Sequence, residues 1–169
     1  YGKEQGLNTI PDMRHYYLED ILGWDRQIAD DFLNAHLGQI YHDMQPKEQA
    51  IEVINHLKKE HELILITSRN RQFPEVEEVT VSWLKRNGLF YDRLILNTTS
   101  NMHFFNKLEV CRENQVDIMI EDHYKLVSEI SPFLPVIMFD YPYNSHLRSD
   151  NIIRVKHWNE VKQWVDQYQ

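Results

Sequence analysis

Four short, almost wholly apolar runs, at 63–66, 94–96, 118–120 and 136–139, constrain this chain more than any other feature. Each is bounded by polar or turn-forming residues, and segments with helical spacing lie between them. A run that is apolar at every position is what a strand buried on both faces looks like. Strands of this kind alternating with helices build a parallel sheet covered on both sides. The expected fold class is α/β, a three-layer Rossmann-like parallel sheet.

The intervening segments carry their own signals. After Pro46, Ala50, Val53, Ile54 and Leu57 mark one face of a helix that ends in Lys58 and Lys59. From Pro74, Val76, Val79, Trp83 and Leu84 repeat the pattern, with Gly88 placed as a C-terminal cap. Further helices are expected over 106–114, 124–130 and 159–168. The N-terminal part reads as helical too: Tyr17, Leu18, Ile21 and Leu22 share a face over 11–22 until Gly23 breaks it. Ile28, Phe32 and Ala35 then mark a second segment over 25–36.

Several function classes are disfavoured. The net charge of −8 argues against binding a nucleic-acid polymer. No stretch approaches the roughly 18 apolar residues of a membrane span, and no apolar leader stands near Tyr1, so a cytoplasmic protein without a membrane partner is expected. The one cysteine, Cys111, excludes an internal disulfide framework and reads as a core thiol. There is no His-Glu-x-x-His pattern, no Gly-x-Gly-x-x-Gly and no P-loop. The chain starts with Tyr rather than Met, and the expectation is that it is not the whole gene product.

In open parallel sheets, ligands bind beyond the carboxyl ends of the strands. The run at 63–66 is followed by Thr67, Ser68, Arg69 and Asn70, and the run at 118–120 by Glu121, Asp122 and His123. Lys107 stands at the start of the helix before the latter strand. Hydroxyls and an ammonium can neutralise phosphate oxygens, and a carboxylate offers a hard oxygen to Mg²⁺.

Leu63-Ile64-Leu65-Ile66-Thr67-Ser68, then Lys107, then Ile118-Met119-Ile120-Glu121-Asp122 resemble the second, third and fourth motifs of the haloacid dehalogenase-like (HAD) hydrolase superfamily. Tyr141-Pro142-Tyr143-Asn144, Ile152-Ile153-Arg154-Val155 and Trp158-Asn159-Glu160-Val161 are similar to its 5′(3′)-deoxyribonucleotidase-like branch. The resemblance implies a Mg²⁺-dependent phosphomonoesterase, a nucleotidase working through an aspartyl-phosphate on a small phosphorylated substrate. Thr67 and Lys107 would be catalytic and bind phosphate, with Ser68 and Arg69 beside them. Asp122 would ligate Mg²⁺, and Glu121 would position Lys107 or the groups around the metal. Residues 1–45 would form a helical cap and 46–169 the core; a homodimer is an assembly to test.

One departure is severe. The superfamily's first motif, an Asp-x-Asp ending a strand that sits between those at 63–66 and 118–120, is absent from these residues. Asp30 and Asp31 lie in a helical pattern, and Asp43 follows no buried strand. The expectation is a lead-in of about 10–20 residues ahead of Tyr1, one strand plus a turn. The alternative is a non-catalytic relative that binds a phosphorylated ligand or a protein partner.

Overall fold

The computed structural model describes residues 1–71, 74–99 and 105–168. Helices α1 (Leu18–Leu22) and α2 (Arg26–Asp43) form the N-terminal unit. Then follow α3 (Ala50–Leu57), β1 (Ile64–Asn70), α4 (Pro74–Arg86), β2 (Arg93–Asn97), α5 (Lys107–Glu113) and β3 (Met119–Glu121). Helix α6 (Tyr124–Ile130), β4 (Val136–Phe139), a 3-10 turn (Pro142–Asn144), β5 (Ile152–Val155) and α7 (Trp158–Gln167) complete the order.

Strand β4 shows why the fold has three layers. All four of its residues are buried. Ile137 and Phe139 face Val53 and Leu57 of α3 and Val161 and Val165 of α7. Val136 and Met138, pointing the other way, pack with Cys111 of α5 and Val127 and Ile130 of α6. Alternation along one extended segment thus feeds two separate apolar layers.

All pairings are parallel, but the strands lie in two groups among the described residues: β1 with β2, and β3–β4–β5. Residues of β1 and of β3 line one shared cavity of about 660 Å³. Each of these two strands therefore pairs along one edge only, and both border the same space.

Helix α1 spans five residues rather than the twelve expected from the periodicity. Asp12 accepts the Arg14 amide and guanidinium, and Asn8 accepts the Ile10 amide, so local side chains outcompete helical bonds there. Helix α2 runs past its expected end to Asp43, capped at its start by Asp25, whose carboxylate accepts the Gln27 amide at 2.8 Å. Helix α3 begins at Ala50 rather than near Pro46, because Gln49 adopts a left-handed backbone (φ 63°). Gly88 has φ 64° and closes α4, where its place in the sequence predicts a cap.

Strand β1 continues beyond the apolar run to Asn70. Its register shifts between Thr67 and Asn70, and the Arg71 amide then bonds Asn97 O at 2.8 Å. Strand β5 is absent from the apolar runs because Arg154 interrupts it. That guanidinium leaves the sheet for the carbonyls of Asn144 and Leu147 and the carboxylate of Asp140.

Candidate functional site

The carboxyl ends of β1 and β3 and the first turn of α5 deliver Thr67, Lys107, Glu121 and Asp122 to the shared cavity, as the strand-end rule requires. Asn106 starts α5 by accepting the Glu109 amide at 3.1 Å, which fixes where Lys107 emerges.

Lys107 Nζ lies 2.6 Å from Glu121 Oε2, with about a tenth of either side chain exposed. The other oxygen of Glu121 accepts the amides of Asp122 (2.9 Å) and His123 (3.1 Å). Burial raises the pKa of Glu121, but the Lys107 charge and these bonds outweigh it and hold the carboxyl below its usual range. Glu121 is thus an ionised brace of the β3–α6 turn and of Lys107.

Asp122 differs from its neighbour. Burial pushes its pKa up, the Tyr143 hydroxyl bond pulls it down, and the Glu121 charge adds to the rise, so the net direction is upward. Tyr143 donates to Asp122 Oδ2. Among the described residues no group of three or more His, Cys, Asp or Glu side chains could hold a metal. A Mg²⁺ site built on one carboxylate, water and substrate phosphate is the usual arrangement for that ion, and Asp122, a partly buried carboxylate on the cavity wall, fits it.

Thr67 Oγ1 accepts the Arg69 amide at 3.2 Å and keeps its own hydrogen for another acceptor. Arg69 lines the same cavity, yet its head is engaged elsewhere. It stacks 3.8 Å from the Tyr41 ring of α2 and donates to Thr80 Oγ1 of α4 at 3.0 Å. Ser68 is half-buried and is not among the residues around the cavity.

Residues with no role assigned from the sequence also meet here. Lys47 reaches the cavity, with its ammonium 4.5 Å from the Tyr141 ring and bonded to that hydroxyl. From the N-terminal unit, the Tyr16 ring lies 4.1 Å from that of His123, and Tyr17 Oη is 3.3 Å from His123 Nε2. Lys47 carries no sequence signal; Tyr141, Tyr143 and Asn144 stand in a stretch that resembles the nucleotidase branch.

A parallel α/β core whose strand ends bring a hydroxyl, a buried Lys–Glu pair and a carboxylate to one cavity defines a HAD-like phosphohydrolase. Residues 15–168 match the family described as "5' nucleotidase, deoxy (Pyrimidine), cytosolic type C protein". The chain belongs to that family, a HAD-like branch of nucleotidases that hydrolyse phosphomonoesters.

It is similar to "Putative nucleotidase BH1399" of Halalkalibacterium halodurans, 32% identical over 95% of this chain and 79% of that protein. It is also similar to "Putative nucleotidase YqfW" of Bacillus subtilis, 30% identical over 94% of this chain and 79% of the relative. "Nucleotidase CA_C3379" of Clostridium acetobutylicum is 26% identical over 94% and 79% of the two chains.

Proposed function

We propose that this nucleotidase is Mg²⁺-dependent, cleaves 5′-ribo- or deoxyribonucleoside monophosphates, and works through an aspartyl-phosphate. The observation that supports the reading is the Lys107–Glu121 pair, buried beside Asp122 and Thr67 at the ends of two strands. Lys107 and the Thr67 hydroxyl hold the phosphoryl oxygens, where charge spreads during transfer. Glu121 keeps Lys107 pointed at the site. Asp122 holds Mg²⁺, which when bound neutralises phosphoryl charge.

The nucleophile belongs, in this reading, to a strand ahead of Tyr1 that enters between β1 and β3 and ends in Asp-x-Asp. Its first carboxylate attacks phosphorus as the P–O bond to the nucleoside breaks, and the second Asp gives the departing oxygen its proton. Water then cleaves the acyl phosphate, releasing inorganic phosphate and restoring the carboxylate. The acidic balance of the chain and its lack of long apolar segments suit a cytoplasmic enzyme; among the described residues no helix is long and apolar enough to cross a membrane.

The test is hydrolysis of nucleoside monophosphates in Mg²⁺ by a chain extended through that strand. Thr67→Ala and Lys107→Ala are expected to lower turnover by about 10²-fold, the scale for removing a preorganised charge-stabilising donor, and Asp122→Asn to abolish it. Turnover indifferent to all three substitutions overturns the residue roles. No turnover of any phosphomonoester favours a non-catalytic phosphate-binding protein instead.

A further inference from the structure

The 3-10 turn after β4 makes a two-point hold on Asp122 that the catalytic reading does not itself require. Asn144 is fully buried, and its amide nitrogen donates to Asp122 O at 2.9 Å and to Phe139 O at 2.8 Å. Its amide oxygen accepts the Tyr141 amide at 3.0 Å and an Arg154 guanidinium nitrogen at 3.2 Å. One side chain thus ties the end of β4, the turn, β5 and the main chain of Asp122 together. The next residue back, Tyr143, takes the carboxylate itself through Oδ2.

The Tyr143 ring is fixed on two sides. Tyr141 stacks on it at 5.3 Å with 25° between the planes, and Tyr16 of the N-terminal unit meets it edge-on at 5.3 Å and 78°. A hydroxyl on a ring held this way sets the rotation of a carboxylate rather than following it.

We infer that Tyr143 and Asn144 are positioning residues for the Asp122 carboxylate, with Arg154 behind them, and that they set how tightly the site binds a divalent cation. The inference rests on the proposed metal role of Asp122. Partners that orient a metal ligand through its outer hydrogen bonds typically govern 10–100-fold in metal affinity.

The experiment is calorimetric titration of Mg²⁺ or Mn²⁺ into the intact protein and its Tyr143→Phe and Asp122→Asn variants, with thermal unfolding measured alongside. Tyr143→Phe is expected to weaken the metal 10–100-fold while its melting temperature stays close to that of the parent. Its turnover should be rescued by raising Mg²⁺, with KM for the phosphomonoester unchanged; Asp122→Asn should bind no metal at the site. Parental affinity in Tyr143→Phe, with binding lost in Asp122→Asn, overturns the positioning role alone. Parental affinity in Asp122→Asn overturns the metal role of Asp122 and this inference with it. Should Tyr143→Phe prove unstable, Arg154→Lys, which removes the planar fork at Asn144, is expected to weaken the metal in the same direction, and unchanged affinity there counts against the inference.

Discussion

Lys107 and Glu121 form the one ion pair among the described residues in which about a tenth or less of either side chain is exposed, at 2.6 Å. Burying two charges is costly, and removing one partner leaves the other without compensation, at about 3–5 kcal/mol. Lys107→Met is therefore expected to cost about that much stability even without substrate or metal. Adding Glu121→Gln should return part of it, because a Gln oxygen still accepts the Asp122 and His123 amides that Glu121 accepts now. Chemical denaturation of the single and double variants checks this. A double variant less stable than Lys107→Met would show that the Glu121 charge, rather than its hydrogen bonds, braces the β3–α6 turn.

The strands of the core were legible because burial on both faces leaves a continuous apolar run: β2, β3 and β4 match theirs to within a residue at either end. That Thr67, Glu121 and Asp122 come to one cavity was legible for a related reason, since a parallel sheet brings the residues after its strands to one edge. What local pattern cannot carry is the path of a loop. Asn144 reaches Asp122 from 22 residues away, and Tyr17 reaches His123 from 106. Strand β5 was hidden by Arg154, a charged residue satisfied by carbonyls outside the sheet. Helix α1 is shorter than its apolar spacing predicts because that spacing does not register an aspartate that captures a backbone amide of its own turn. Arg69 stood in the right place for phosphate, but its stacking on Tyr41 depends on where α2 packs.

Asp92 gives the stability of the fold a defined pH dependence away from the site. Its carboxylate accepts the Leu63 amide at 2.8 Å and pairs with Lys58 at 3.0 Å, joining the end of α3 to the start of β1. The Leu63 bond first, then the Lys58 bond, lower its pKa below the ordinary value. A carboxylate with a depressed folded pKa contributes stability that is fully present above its unfolded pKa, about 3.9. That contribution is lost as pH falls through the folded value. Asp92→Asn should therefore melt below the parent at pH 7, and the gap should close as the parent is taken below about pH 4. Thermal melts across pH 3–8 check it; a constant gap would assign the effect to packing rather than charge.

The last prediction concerns the space shared by β1 and β3. Among the described residues both strands pair on one side only, and apolar residues in them or directly before them, Ile64, Ile66, Ile118 and Ile120 among them, line the cavity between them. Main-chain groups that face such a space without a protein partner cost about 1–3 kcal/mol each if dry, and otherwise require water against apolar walls. A single strand entering there would join the two groups into one parallel sheet and cover those walls. Trp158 adds a specific mark, since it borders the same cavity and its buried indole N–H has no hydrogen-bond partner among the described residues. A chain extended on the N-terminal side by the proposed strand should therefore melt well above residues 1–169. Its β1 and β3 amides that do not bond to β2 or β4 should become protected from hydrogen exchange, and the remaining amides of those strands should change little. Equal melting temperatures, together with unchanged exchange along β1 and β3, would show that the strand does not enter between them.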